Sequence, residues 1–319
     1  MKKRFVTATI LIMTALPLLI LSVKFTIARR ILEVILMFVA VGAEIELLNM
    51  YDKSKKIPLW VKIVTVFLTI VMYFSVVNWF YMSSFGSKFR EDPLIHKILK
   101  TIRFDKFTTP FAAIIIMFLT FMSMMILVPD FEVSDVGRLF LAVLYSGICV
   151  GAFTVLYSFG LRFIVYLLAI TVFTDIFALV FGMLFGKHKM APVISPKKTW
   201  EGAIGGTATA LVVGATIISI YSFISPLFHG ESIEFFSGII KEDFSVGGNI
   251  FVAIILTLFL SICSQIGDLV ASKLKRAYGI KDYSNIFPGH GGILDRFDSA
   301  FFASAMFLLI VVIILCLFA

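Results

Sequence analysis

The sequence predicts an all-α polytopic membrane protein of about nine transmembrane helices, with a polar cavity formed by its C-terminal helices. Three observations carry this expectation. Of its 319 residues 60% are hydrophobic and only 15% charged, and the mean hydropathy is +1.03, whereas soluble domains are roughly 45–50% apolar. Apolar stretches close to the ~20 residues that cross a hydrocarbon core recur from end to end. The period-2 alternation of a membrane barrel is absent, and lipid leaves the backbone only helices or closed barrels.

In chain order, the expected spans are 5–27, 31–50, 59–85, 109–128, 138–160, 162–186, 199–229, 250–272 and 298–318. The first follows a basic Met-Lys-Lys-Arg start, as a signal peptide would. Its apolar run is long and no small-residue cleavage site follows, so it reads as a retained span. The whole chain reads as one membrane domain, 1–137 being N-terminal helices of unread function and 138–319 the catalytic helices and motif loops. Spans one to five are expected to carry almost no buried charge.

A cytoplasmic N-terminus gives the cytoplasmic side the larger share of the 28 Lys and Arg residues, in line with the positive-inside rule. The segment Lys88–Lys106 runs against that pattern. There Leu94, Ile95, Ile98, Leu99 and Ile102 recur at helical spacing among basic residues, which fits either an interfacial helix or a solvated loop. The net charge of +8 does not point to nucleic acid, because the basic residues sit between apolar stretches rather than in a tail. Anionic headgroups and a polyphosphate substrate fit better. Cys149, Cys263 and Cys316 lie in apolar segments without metal or disulfide spacing and read as small hydrophobes.

Chemistry-bearing residues concentrate in the last 150 or so positions. Along the eighth span Ser261, Ser264, Gln265, Asp268, Ser272 and Lys275 fall on one face of a helix turning about 100° per residue. An acid at mid-bilayer costs roughly 2.5–3.5 kcal/mol, so Asp268 needs either a Lys or Arg partner or a cation in a water-filled cavity; the cation site is the preferred reading. The loop after it holds Lys275, Arg276 and Lys281 as phosphate donors. Gly289, Gly291 and Gly292 let the backbone approach a ligand or form an anion nest. With a helix starting near Ile293, Asp295, Asp298 and Ser299 share its first-turn face. Asp295 and Asp268 can then grip one metal centre, and hard oxygen ligands without nearby Cys indicate Mg²⁺. His290 is either a loop histidine or a substrate contact.

In the sixth span Thr171, Thr174 and Asp175 share a face, which makes Asp175 a third inward acid that binds a second cation or pairs with a base. Ser195-Pro196 is expected to cap the next helix, whose N-terminus with Lys197 and Lys198 makes an anion site. Gly202, Gly206, Ala210 and Gly214 form a small-residue stripe for close helix packing.

Over Ser272–Ser299 the sequence resembles the bacterial phosphatidate cytidylyltransferase (CDP-diglyceride synthetase) family. Ser272, Lys275, Arg276, Lys281, Asp282, Pro288, His290, Gly291, Gly292, Asp295, Arg296 and Asp298 stand at every fixed position of that family's signature. The stretch from Asp175 through Phe185-Gly-Lys-His-Lys189 to Ser195-Pro-Lys-Lys-Thr-Trp-Glu-Gly202 is similar to its other shared region. The resemblance covers roughly 170–300.

It implies transfer of CMP from CTP to phosphatidate, giving CDP-diacylglycerol and pyrophosphate, with Mg²⁺ and a possible second cation, in a homodimer of a bacterial inner (cytoplasmic) membrane. Catalytic roles fall to Asp268, Asp295, Lys275, Arg276, Lys281 and His290. Substrate binding falls to Ser195, Lys197, Lys198, Ser272, Gly291, Gly292 and Arg296, and metal binding to Asp268 and Asp295, with Asp298 and Asp175 as further ligands. Two other classes compete. A CTP-dependent lipid kinase transfers the γ-phosphate, and a secondary transporter moves its substrate unchanged.

Overall fold

The computed structural model describes residues 17–22, 25–82, 94–101, 109–229, 235–236, 246–287 and 291–318. After a helical stretch at 17–22, the described helices are α1 (Thr26–Tyr51), α2 (Leu59–Met82), the short α3 (Leu94–Thr101) and α4 (Pro110–Leu127). They continue with α5 (Val133–Phe159), α6 (Leu161–Phe185), α7 (Trp200–His229), α8 (Val246–Ala277) and α9 (Leu294–Phe318). A two-stranded antiparallel hairpin, β1 (Lys189–Ala191) and β2 (Ser195–Thr199), joins α6 to α7.

Seven of these helices, α2 and α4 to α9, are long and apolar enough to cross a membrane, so the chain is an all-α multi-pass membrane protein. Two expected spans are not among the seven. The first, 5–27, falls largely outside the described residues. The second lies in α1, which carries Arg29, Arg30, Glu33, Glu44 and Glu46 in its 26 residues.

The chain forms two compact units, Met1–Phe159 with Leu274–Phe297, and Gly160–Lys273 with Asp298–Ala319. Both α8 and α9 run from one unit into the other.

In the first unit α1, α2 and α5 pack around Leu47, Met50, Met72, Tyr73, Phe80, Val150 and Leu156, all buried. The expectation of almost no buried charge in the early spans is corrected here. Glu33, Glu44 and Glu46 are all buried on α1, each with at least one polar partner. Arg30 meets Glu33 at 3.1 Å, and Ser146 Oγ donates to Glu44 at 2.5 Å. Ser146 sits in a π-helical turn, Leu144–Ile148, inside α5. Next to it, a Cβ on Gly147 would lie 2.8 Å from Met72 Cγ, so glycine is what lets α5 press on α2.

Of the Lys88–Lys106 segment, only α3 is described. His96 is buried, with its Nδ1 2.8 Å from Asn78 Oδ1 and its ring stacked on Tyr81, so this face of α3 is fastened to α2.

The second unit is organised by the close pairing of α6 with α7. A Cβ on Gly206 would stand 2.6 Å from the Thr174 carbonyl, and one on Gly202 would strike the Ala178 carbonyl of α6. The small-residue stripe is therefore a packing surface, as expected. Gly214 meets α8 instead, where an added Cβ would lie 2.6 Å from Thr257 Oγ1.

The expected helix start at Ser195-Pro196 is corrected. Ser195–Thr199 is the second strand of the hairpin, with Lys189 opposite Thr199 and Ala191 opposite Ser195. The helix begins at Trp200, and Thr199 acts as its cap, its Oγ1 accepting from Gly202 N at 3.1 Å. Physically, cross-strand pairing satisfies the 195–199 backbone, and the next available Thr caps the helix.

Candidate functional site

In the first unit the signature loop is built from the end of α8 onward. That helix stops at a glycine turn: Gly279 has φ +65, its amide donates to Arg276 O at 3.1 Å, and the Ile280 amide donates to Lys275 O at 3.0 Å. This is the Schellman pattern, and the left-handed position favours glycine. It leaves Lys275 on the last turn, with Nζ 2.8 Å from Asp295 Oδ1 and 5.1 Å from the centre of the Tyr283 ring. The other Asp295 oxygen accepts from the Tyr283 and Gly292 amides at 2.8 and 2.9 Å. Both side chains are mostly hidden, 12% and 5% exposed.

A second carboxylate completes the entry to α9. Glu46, 1% exposed, accepts from Ser284 Oγ at 2.6 Å and Ile293 N at 2.8 Å through Oε1, and from Leu294 N at 2.9 Å through Oε2. Amides at a helix start have no partner within their own helix, and the helix dipole favours an anion there. The glycines make room for these acids. Gly291 has φ +82, and a Cβ on it would come within 2.7 Å of Asp295 Oδ2, while a Cβ on Gly292 would collide with the Glu46 carboxylate.

Of the remaining expected residues in this unit, Arg276, Lys281 and Arg296 are exposed, Arg276 also donating to Ile280 O at 3.1 Å. His290, with Pro288 and Gly289, lies outside the described residues.

The second unit holds the other acids. Asp268 on α8 forms an ion pair with Lys198 at the end of β2, which is the pairing alternative considered for it. Asp268 and Asp175 act on each other electrostatically, and Lys198 acts on Asp175. Thr171 and Thr174 are buried, while Asp175, one residue further around the helix, is exposed and 3.5 Å from Ser299 Oγ. Asp298 is buried and accepts from Ser299 N at 2.7 Å.

The deeper part of the α8 polar stripe holds helices together. Ser261 Oγ is 3.0 Å from Thr174 Oγ1 and 3.0 Å from Thr207 Oγ1, and Gln265 Nε2 donates to Thr207 Oγ1 and Ala203 O. Ser195 and Ser272 are half-buried, and Lys197 is exposed. Asp268 and Asp295 thus belong to different units, and each has its own lysine.

Sequence reasoning missed Glu46, and also Glu201, which accepts from His188 N at 3.2 Å and lies 2.6 Å from His188 Nδ1, tying the hairpin to α7. The available signal for Glu46 was the cost of an acid in an apolar run, on the same helical face as Gly42, where an added Cβ would strike Ile293 of the same loop.

These features define a multi-pass helical membrane protein with two lysine–aspartate pairs, one of them joining the end of α8 to the start of α9 beside a glycine-rich, basic loop. The chain belongs to the cytidylyltransferase family, whose model matches residues 2–314. It is 41% identical over 172 residues to the phosphatidate cytidylyltransferase of Staphylococcus haemolyticus and 40% identical over 172 residues to that of Staphylococcus aureus strain COL. The enzyme of that name from Staphylococcus saprophyticus is 38% identical over 175 residues. Each match covers 54% of this chain and 57% of the relative, so the chain spans little more than half the length of these relatives.

Proposed function

We propose that this protein is a phosphatidate cytidylyltransferase, an enzyme that transfers CMP from CTP to phosphatidate and so makes CDP-diacylglycerol and pyrophosphate. The observation that carries the reading is the complete polar signature Ser272–Asp298, together with the 2.8 Å pairing of Lys275 and Asp295 across it. A phosphatidate oxygen attacks the α-phosphorus of CTP, the bond from that phosphorus to the β-phosphate bridge breaks, and pyrophosphate leaves with the electron pair. The nucleophile is already anionic, so the protein has mainly to align the reactants and offset charge.

Lys275, Arg276 and Lys281 are assigned to the triphosphate, with Ser272, His290, Gly291, Gly292 and Arg296 as further substrate contacts. Ser195, Lys197 and Lys198 are assigned to the lipid phosphate.

Mg²⁺ is proposed as cofactor. No group of three or more His, Cys, Asp or Glu converges among the described residues. Mg²⁺ does not require one, because it is commonly held by one or two carboxylates plus substrate phosphates and water. Asp268 and Asp295 are assigned to metal binding, with Asp298 and Asp175 as further ligands and room for a second cation; Asp175 and Asp268 act on each other electrostatically. Mg²⁺ when bound would neutralise charge on the phosphoryl oxygens.

On the family resemblance we further propose a homodimer in a bacterial cytoplasmic membrane, with loops 187–198 and 273–297 facing the cytoplasm, where CTP is available.

The test uses purified protein, phosphatidate, Mg²⁺ and CTP labelled separately at its α- and γ-phosphates. The α label is expected in lipid with release of pyrophosphate, and both Asp268→Asn and Asp295→Asn are expected to be inactive. Transfer of the γ label alone would identify a lipid kinase. Binding of CTP with no covalent turnover would remove the assigned activity.

A further inference from the structure

We infer that Glu46, on α1 and outside the signature, is a positioning residue that presents Lys275 and Asp295 to the nucleotide; this rests on the reading proposed above. Three donors converge on its carboxylate: Ser284 Oγ at 2.6 Å, Ile293 N at 2.8 Å and Leu294 N at 2.9 Å. They come from both arms of the loop that carries Lys281, His290 and Asp295. Asp295 takes the adjoining Tyr283 and Gly292 amides, so two acids from distant parts of the chain divide the loop backbone between them. Asp295 can meet Lys275 only where its own helix start is held, and Glu46 holds the two amides immediately before it.

The rest of the α1 face supports the same role. Gly42, one turn before Glu46, has Ile293 where a Cβ would be. Tyr51, beyond Glu46, packs its ring against Tyr278 with centroids 5.2 Å apart, and Arg138 of α5 lies over that Tyr278 ring. α1 therefore meets this segment at Tyr278, Ser284, Ile293 and Leu294. The glycine at 292 is explained as well, because any side chain there would occupy the place of the Glu46 carboxylate. A helix N-terminus beside basic residues suggests a phosphate site, but at α9 the Ile293 and Leu294 amides are already given to Glu46. The nucleotide phosphates are left to the Lys and Arg side chains that this scaffold aims.

The test compares wild type with Glu46→Gln and with the milder Ser284→Ala, in full-length detergent-purified protein. Glu46→Gln removes the charge and turns one oxygen into a donor facing an amide donor. Hydrogen bonds to charged groups are worth about 1.5–3 kcal/mol, roughly tenfold to a hundredfold. The expected result is a rise of that size in KM for CTP, with KM for phosphatidate within about twofold. Hydrogen exchange of the 283–294 backbone should accelerate by a similar factor while the rest of the protein is unchanged.

Ser284→Ala, which leaves the amide bonds in place, should raise KM for CTP by severalfold and covers the case in which Glu46→Gln does not fold. A fall in kcat with unchanged KM for CTP, the mark of less folded enzyme, together with unaltered exchange in 283–294, would overturn the inference. If wild type fails to move the α label, the proposed function falls and the exchange comparison decides the role of Glu46 alone.

Discussion

Removing one partner of the Lys275–Asp295 pair gives the most demanding test of how the signature loop is held. The pair is 2.8 Å apart with the side chains 12% and 5% exposed, and loss of one member of a buried pair costs roughly 3–5 kcal/mol. Lys275→Met keeps the aliphatic stem but leaves Asp295 without its counter-charge. Two backbone amides still donate to that carboxylate, which lowers the expected loss to about 2–3 kcal/mol. Asp295→Asn costs less from the lysine side, since the Lys275 ammonium retains some access to water, but the Asn amide group turns a donor toward either an amide or the lysine.

The double variant Lys275→Met/Asp295→Asn should therefore lose less than the sum of the single losses, with a coupling of about 1.5–3 kcal/mol. The assay is SDS-driven unfolding in mixed micelles, followed by circular dichroism for all four proteins. A coupling below about 0.5 kcal/mol, the range of solvent-screened surface pairs, would refute the argument that this pair is a buried organising contact.

Four further outcomes follow from the same geometry. Gly206→Leu should destabilise by at least about 1–3 kcal/mol, because its Cβ would stand 2.6 Å from the Thr174 carbonyl and backbone cannot give way cheaply. Gly291→Ala should cost about 1–2 kcal/mol from its positive φ alone, with a larger fall in CMP transfer because the new Cβ pushes on Asp295. Asp268→Glu, which keeps a carboxylate but moves it by one methylene, should raise the Mg²⁺ concentration for half-maximal rate by about tenfold or more, the scale on which even outer-sphere partners act; an unchanged Mg²⁺ titration would remove Asp268 from the metal site. A single cysteine placed at exposed Lys197 should react with an impermeant maleimide only from the cytoplasmic face of inverted vesicles, and labelling from the opposite face would reverse the proposed orientation.

Much of the architecture was legible along the chain because membrane helices must satisfy their backbone internally and present apolar side chains outward. Those are local properties that a sliding window can read. The seven long apolar helices, the helix start at Leu294, the packing role of Gly202 and Gly206, and the family signature are all of this kind. Misreadings came where local preference was overridden by pairing. Ser195-Pro196 has the look of a helix cap, yet its backbone is taken up by the strand opposite, and the cap falls to Thr199. Thr174, on the same helical face as Asp175, is taken up by Ser261 of α8 and by the close approach of Gly206 on α7, contacts that no local pattern announces.

The sequence by itself determined that this is a multi-pass helical protein with the cytidylyltransferase signature, because hydropathy, helical period and motif spacing are written in consecutive residues. Only the tertiary structure decided what each charged group meets. Glu46 and Leu294 are separated by 248 positions, and nothing local to either announces the other. A buried carboxylate must find donors or pay for desolvation, and which donors it finds is settled by the packing of distant helices. That is how a glutamate of α1 comes to hold a loop more than two hundred residues further along the chain.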